Sequence, residues 1–196
     1  MNLIVVTPPA AEPIDSTLLA AHLRLDDFTG QESIVSAIIT AVRERAEAVT
    51  WRAIMRQTLK LTMDGFPGYQ DAIILPRPPL AAVTSITYLD SNGVSQTLSS
   101  SDYKVDSGSE PARIVPVTGT TWPEAQSGTI NTVEITYTAG YANAAAVPAC
   151  IKQWMLLNAA SLFEHRETLV VGQRAQSIEL NTLADGLLEP VKIRRF

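Results

Sequence analysis

Hydrophobic and polar positions change period twice along the chain, from helical to strand-like and back. The leader from Thr7 to Pro13 holds Pro8, Pro9 and Pro13, which exclude regular structure there. Asp15 or Ser16 then suits a helix cap, and Leu18, Leu19, Ala21 and Leu23 predict about two turns, broken by Asp26, Asp27 and Gly30. A longer helix is predicted from Glu32 to about Trp51. One apolar row runs through Ile34, Ile38, Ala41 and Ala48, and a second, one step round, through Val35, Ile39, Val42, Ala46 and Val49.

At Arg56 the period becomes two. Leu59, Leu61 and Met63 alternate with Lys60, Thr62 and Asp64, the pattern of a half-buried strand. Phe66-Pro67-Gly68 predicts a turn, 73–75 a short strand, and Pro76-Arg77-Pro78-Pro79 a polyproline-like crossing. Val83, Ile86 and Tyr88 lead into Asn92-Gly93, a hairpin signal, and 94–98 returns. Short strands are predicted at 103–105, 113–115 and 132–138. Helical spacing resumes at Pro148, suited to a first helical position, and continues through Ile151, Met155, Ala159 and Phe163 to about Arg166. Beyond Thr168 the periodicity fades, apart from one or two helical turns at 183–188, and the chain closes on the alternating basic and apolar Lys192-Ile193-Arg194-Arg195-Phe196. Such a terminus predicts a docking strand or arm. The fold class is therefore α+β: a small bundle of three main helices (about 16–25, 32–51 and 148–166), an inserted antiparallel β-rich region (about 56–140), and an extended C-terminal arm. Residues 1–168 form one domain in this reading and 169–196 the arm.

Composition narrows the chemistry. The chain has 196 residues and a net charge of -5, and 57–140 concentrates the acidity, with Asp64, Asp71, Asp90, Asp102, Asp106, Glu110, Glu124 and Glu134 against Lys60, Arg77, Lys104 and Arg113. No segment is basic enough to grip nucleic acid through phosphate neutralisation. The lone Cys150 excludes an internal disulfide and a multi-cysteine zinc site. Apolar runs are far shorter than the roughly 20 residues that a bilayer core requires, and Leu3 to Val6 lacks the basic flank of a secretory signal.

Catalytic signals are sparse. No glycine-rich phosphate loop occurs. His22 and His165 stand apart with no second histidine at metal-ligand spacing. His165, between Glu164 and Arg166, reads as a surface side chain at a helix end, because a general base needs a partner constellation. Ser99-Ser100-Ser101-Asp102 reads as loop, since no nucleophile elbow frames it, and Cys150 as a small apolar residue near a helix start. Glu44 and Glu47, interleaved with Arg43 and Arg45, read as a solvated or interfacial face. Trp51, Trp122 and Trp154 read as core or interface anchors. The expectation is a non-enzymatic protein with no cofactor and no metal.

The linear order of several elements resembles a known family. Val5-Val6-Thr7-Pro8-Pro9-Ala10, Glu12-Pro13 and Ala21-His22-Leu23-Arg24 come first, followed by Ile74-Leu75-Pro76-Arg77-Pro78-Pro79-Leu80 running into Val83-Thr84-Ser85-Ile86-Thr87-Tyr88. Arg113-Ile114-Val115-Pro116, Trp122-Pro123, Tyr137-Thr138-Ala139-Gly140-Tyr141 and Val147-Pro148 complete the order. Together they resemble the head-to-tail connector proteins, or adaptors, of tailed phages, prophages and gene transfer agents. The resemblance implies a subunit of a ring, commonly of twelve copies, assembled in the bacterial cytoplasm and sitting beneath the portal in the particle neck. It implies contact with the portal protein and with a stopper or other neck or tail protein, passage of double-stranded DNA without sequence-specific binding, and no membrane. The C-terminal positions Lys192, Ile193, Arg194, Arg195 and Phe196 would correspond to a portal-contact arm. For the ring interface, whose heterologous closure needs two different faces, the candidates are Val35, Ile39, Val42, Arg43 and Glu47. An acidic lumen would let DNA slide. Two other classes stay open: a protein- or carbohydrate-binding module built on the β-rich region, and a hydrolase using His165 or Cys150.

Overall fold

The computed structural model describes residues 1–164 and 184–193. Its elements in chain order are β1 (Asn2–Thr7), α1 (Ser16–Leu23), α2 (Glu32–Thr50), β2 (Gln57–Met63), β3 (Ile73–Leu75), β4 (Leu80–Leu89), β5 (Ser95–Thr97), β6 (Tyr103–Asp106), β7 (Ala112–Pro116), β8 (Val133–Ala139) and α3 (Ala149–Glu164), with short 3-10 turns at Ala144–Ala146 and Glu189–Val191. Helices and antiparallel sheets make the chain α+β. It divides into two compact units. A strand unit comprises Met1–Ala10 and Arg56–Tyr141; a helical unit comprises Ala11–Met55 and Ala142–Phe196.

The strand unit contains a five-stranded sheet in the order β1-β2-β8-β4-β5 and a three-stranded sheet β3-β7-β6. All pairings are antiparallel. β8 sits centrally and shows strict alternation, with Val133, Ile135, Tyr137 and Ala139 buried and Glu134, Thr136 and Thr138 partly exposed. Its register sets Tyr137 against Leu59 and Ile135 against Leu61 on β2, while two irregularities in β4 bring Ile86 opposite Ile135. These aliphatic neighbours are sealed from water, and each contributes about 2 kcal/mol through burial. The Tyr137 hydroxyl donates to the Pro76 carbonyl at 2.7 Å, so its polar end is satisfied in the core. Burial pushes its phenol pKa well up, and the positive charge of Arg77 only partly offsets this.

The loops are pinned by side chains. Phe66 stacks on Trp122 at 5.1 Å and meets Tyr88 edge-on at 5.4 Å, and the Trp122 indole donates to Asp71 O. The β4–β5 turn differs from the predicted one in that Gly93 alone takes a positive φ (76°), with Asn92 outside that region. Asp90 organises this turn: its carboxylate accepts from the Gln96 amide and from the Asn92 and Val94 backbone N–H groups. The Gln96 and Val94 bonds hold its pKa below the usual carboxylate value. Pro76-Arg77-Pro78-Pro79 is not polyproline-like. Arg77 has φ 62° and the segment is a series of bends, whereas a polyproline helix keeps φ near -75°.

In the helical unit Asp15 caps α1, its carboxylate accepting Leu18 N–H at 2.7 Å. Arg24 and Trp51 end α1 and α2 in the left-handed region, at φ 59° and 60°. Pro148, the predicted first helical residue, stands one position before the helix, with α3 beginning at Ala149 and the Pro148 carbonyl accepting Lys152 N–H. α2 packs on α3, and α1 contacts both. Val35, Ile39, Val42 and Ala46 of α2 join Ile151, Trp154, Met155 and Ala159 of α3 in the core. Ile14 from the leader and Phe28 from the α1–α2 connection are also buried, Phe28 meeting Phe163 edge-on at 5.1 Å. The segment 184–193 belongs to this unit as well, through buried Leu188 and a bond from Ile193 N–H to Thr50 O. Within the described residues it is docked rather than extended.

Candidate functional site

The geometry places the sequence-derived interface candidates inside the helical unit. Val35, Ile39 and Val42 are 1%, 4% and 2% exposed, so a neighbouring copy cannot touch them while the unit is folded. The physical reason lies in the choice between two adjacent apolar rows on α2, which periodicity alone leaves equal: the Val35 row packs inward. The Ile34 row faces out, with Ile34 at 46% exposure and Ala37, Ala41 and Ala48 also exposed.

Arg43 and Glu47 also have an internal role. The Arg43 guanidinium donates to Glu12 Oε2 at 2.8 Å and to Glu47 Oε2 at 3.3 Å. Glu12 Oε1 accepts the Thr40 hydroxyl, and Glu47 Oε1 accepts Ile54 N–H. One buried cation thus ties the leader, α2 and the chain after α2 together. Its loss would leave two partly desolvated carboxylates.

The terminal candidates fall on both sides of the described boundary. Lys192 pairs with Glu189, Ile193 is hydrogen-bonded to the α2 end, and the Arg52 Nε donates to Val191 O at 2.5 Å. Arg194, Arg195 and Phe196 lie outside the described residues, as does His165.

Surface features in each unit complete the inventory. A cleft of about 330 Å³ in the strand unit is lined by Asp64, Phe66, Pro67, Tyr69, Trp122 and Gln126. Trp122, however, is buried, with one face stacked on Phe66, which leaves little of its ring open as a platform for a sugar. A groove of about 250 Å³ between α2 and α3 is lined by Ala41, Arg45, Trp154, Asn158, Ser161 and Leu162, and Trp154 is held in place by its indole bond to Asp185. Ser99, Ser101 and Asp102 hydrogen-bond among themselves on an exposed loop, and His22 lies in the helical unit rather than this one. Among the described residues no group of three His, Cys, Asp or Glu side chains could hold a metal ion, and no helix is long and apolar enough to cross a membrane.

The features that the sequence reading passed over are Glu12, Ile14, Phe28 and β1. Glu12 and Ile14 sit among prolines, which masked their packing role. β1 was legible in principle from the run Leu3-Ile4-Val5-Val6, whose residue types favour strands.

No family model and no curated protein matches the sequence. Solved structures do. The fold is shared with chains of gene transfer agent (GTA) particles. A chain from the neck of an empty GTA particle computed with C6 symmetry is similar at a TM-score of 0.79 and 23% identity, over 100% of this chain and 97% of that one. A chain from the virion of a native GTA particle gives 0.77 at 22% identity, and one from the neck of a native GTA particle computed with C12 symmetry gives 0.72 at 23%, each with the same coverage. The likeness therefore extends over both units.

Proposed function

We propose that this chain is a structural subunit of the neck of a phage-like particle: an adaptor that forms a ring between the portal and the next neck or tail protein and lets double-stranded DNA pass. The observation that carries the reading is fold similarity to GTA neck and virion chains over 100% of this chain and 97% of each of those. The residues support it physically. In the strand unit the eight acidic side chains all have some exposure; Lys60 pairs with Glu134 and Arg113 with Asp106. A surface of that sign facing the lumen would repel phosphate and keep DNA mobile. Twelve copies would match the C12 symmetry in which one similar neck was computed.

In this reading the portal contact falls to the arm of Lys192, Ile193, Arg194, Arg195 and Phe196, which Ile193 N–H anchors to Thr50 O at the end of α2. The part of α2 open to a neighbouring subunit is the outward Ile34 row. No catalytic residue, cofactor or metal enters the account, and the protein acts in the particle after assembly in the bacterial cytoplasm. Deleting the gene in a producing strain is expected to leave filled capsids without tails, with tails restored by the wild-type chain in trans. Tailed, active particles from the deletion strain would overturn the proposal.

A further inference from the structure

β1 ends the five-stranded sheet, so one side of its backbone pairs with β2 while the other side has no strand beside it among the described residues. Its side chains lack the alternation that β8 shows. By register Leu3 lies opposite Leu61 and Val5 opposite Leu59, on the face that is sealed at Leu61 (0% exposed) and Leu59 (2%). Yet Val5 is 55% exposed, and Ile4 and Val6 are 45% and 49% exposed. The strand has no charged residue and no proline, two devices that normally blunt a free edge, and only a register shift between Val5 and Thr7 interrupts it. The opposite edge of the same sheet, β5, is managed differently, being three polar residues long.

Unpaired backbone donors and acceptors bordered by aliphatic side chains complement another extended, uncharged chain. We propose that the outer edge of β1 is a subunit contact, completed by strand addition from a second copy of this chain. The proposal rests on the neck-ring reading, in which every copy has a neighbour of its own kind at a fixed position about the axis, and a ring closes only if each subunit presents two different complementary faces. An edge of six residues, roughly 20 Å long, is long enough to set the direction of that contact. The apolar side chains left half in water within one chain are then covered by the adjacent one.

The test uses particles from cells that co-express two tagged forms of the full chain, one of them carrying a photo-cross-linking side chain in place of Val6. The expected product has twice the chain mass and carries both tags. Cross-links confined to one copy, cross-links to another particle protein, or no cross-linked product would overturn the inference. A second arm uses the double variant Ile4→Lys, Val6→Lys. Its incorporation into particles is expected to fall about tenfold or more, while Tm of the isolated chain moves by less than about 3 °C. Unchanged incorporation, or a Tm loss above about 10 °C showing that β1 belongs to the private core, would overturn it. The two readings fail separately: wild-type chain absent from particles defeats the neck reading, whereas chain present in particles with Val6 cross-linked elsewhere defeats this inference alone.

Discussion

β8 and β1 belong to one sheet and are built from similar residue types, yet their environments are opposite. β8 alternates Val133, Ile135, Tyr137 and Ala139 with Glu134, Thr136 and Thr138, and its apolar members are at most 1% exposed. β1 runs Leu3-Ile4-Val5-Val6 without alternation, and most of that run is near half exposure. Alternation marks a strand with one wet face; a continuous apolar run is the pattern of a strand covered on both sides. The lesson is that β8 has its cover among the described residues of this chain, whereas β1 has a sequence suited to cover that those residues do not supply.

The contrast breaks first at Ile135. Ile135→Ala should destabilise the protein by about 3 kcal/mol, because Leu61 and Ile86 flank it and leave little room to collapse. The denaturant midpoint is the measurement, and a change below about 1 kcal/mol would mean that β8 is not the centre of the core. Arg43→Ala tests the same interior logic in the helical unit. It should cost about 3 kcal/mol, since Glu12 and Glu47 lose a shared buried cation, and Arg43→Lys should recover only part of this because lysine lacks the planar fork. Tyr137→Phe leaves Pro76 O without its donor and should cost about 1.5 kcal/mol in thermal or chemical unfolding.

Exposed positions should respond much less. Ile4→Ser and Ile34→Ser are each expected to change the stability of the isolated chain by less than about 0.5 kcal/mol, in contrast with their inward neighbours Leu61 and Val35. Smallest of all is a pH effect in the β4–β5 turn. Asp90 has a lowered pKa when folded, so its contribution is complete above the ordinary carboxylate pKa and is lost as pH falls below about 4. Thermal unfolding across that range should show the loss for the wild-type chain and its absence in Asp90→Asn.

Most elements were legible in the sequence because local chemistry decides them. Asp15, one of the two cap residues that the sequence offered, caps α1, the alternation of Leu59 and Leu61 marked β2, and Gly93 marked the turn. Tertiary choices were less visible. Two neighbouring rows on α2 are almost equally apolar, and only the position of α3 decides that Val35, Ile39 and Val42 turn inward. The partners of Arg43 include Glu12, 31 residues away in a proline-rich stretch with no periodicity. The portal-contact reading of the last residues could not come from periodicity at all, because Lys192 and Ile193 look alike whether docked or extended; the structure bonds Ile193 to Thr50 and pairs Lys192 with Glu189 of its own segment.

The central claim is that the chain is a resident of the particle neck, present as a ring matched to the portal. Quantitative mass spectrometry of purified, DNA-filled particles tests this most directly, by measuring copies of this chain per copy of portal protein. The account predicts a ratio close to one that stays constant through repeated purification. Absence of the chain from purified particles, or a trace amount that falls with each step, would contradict it.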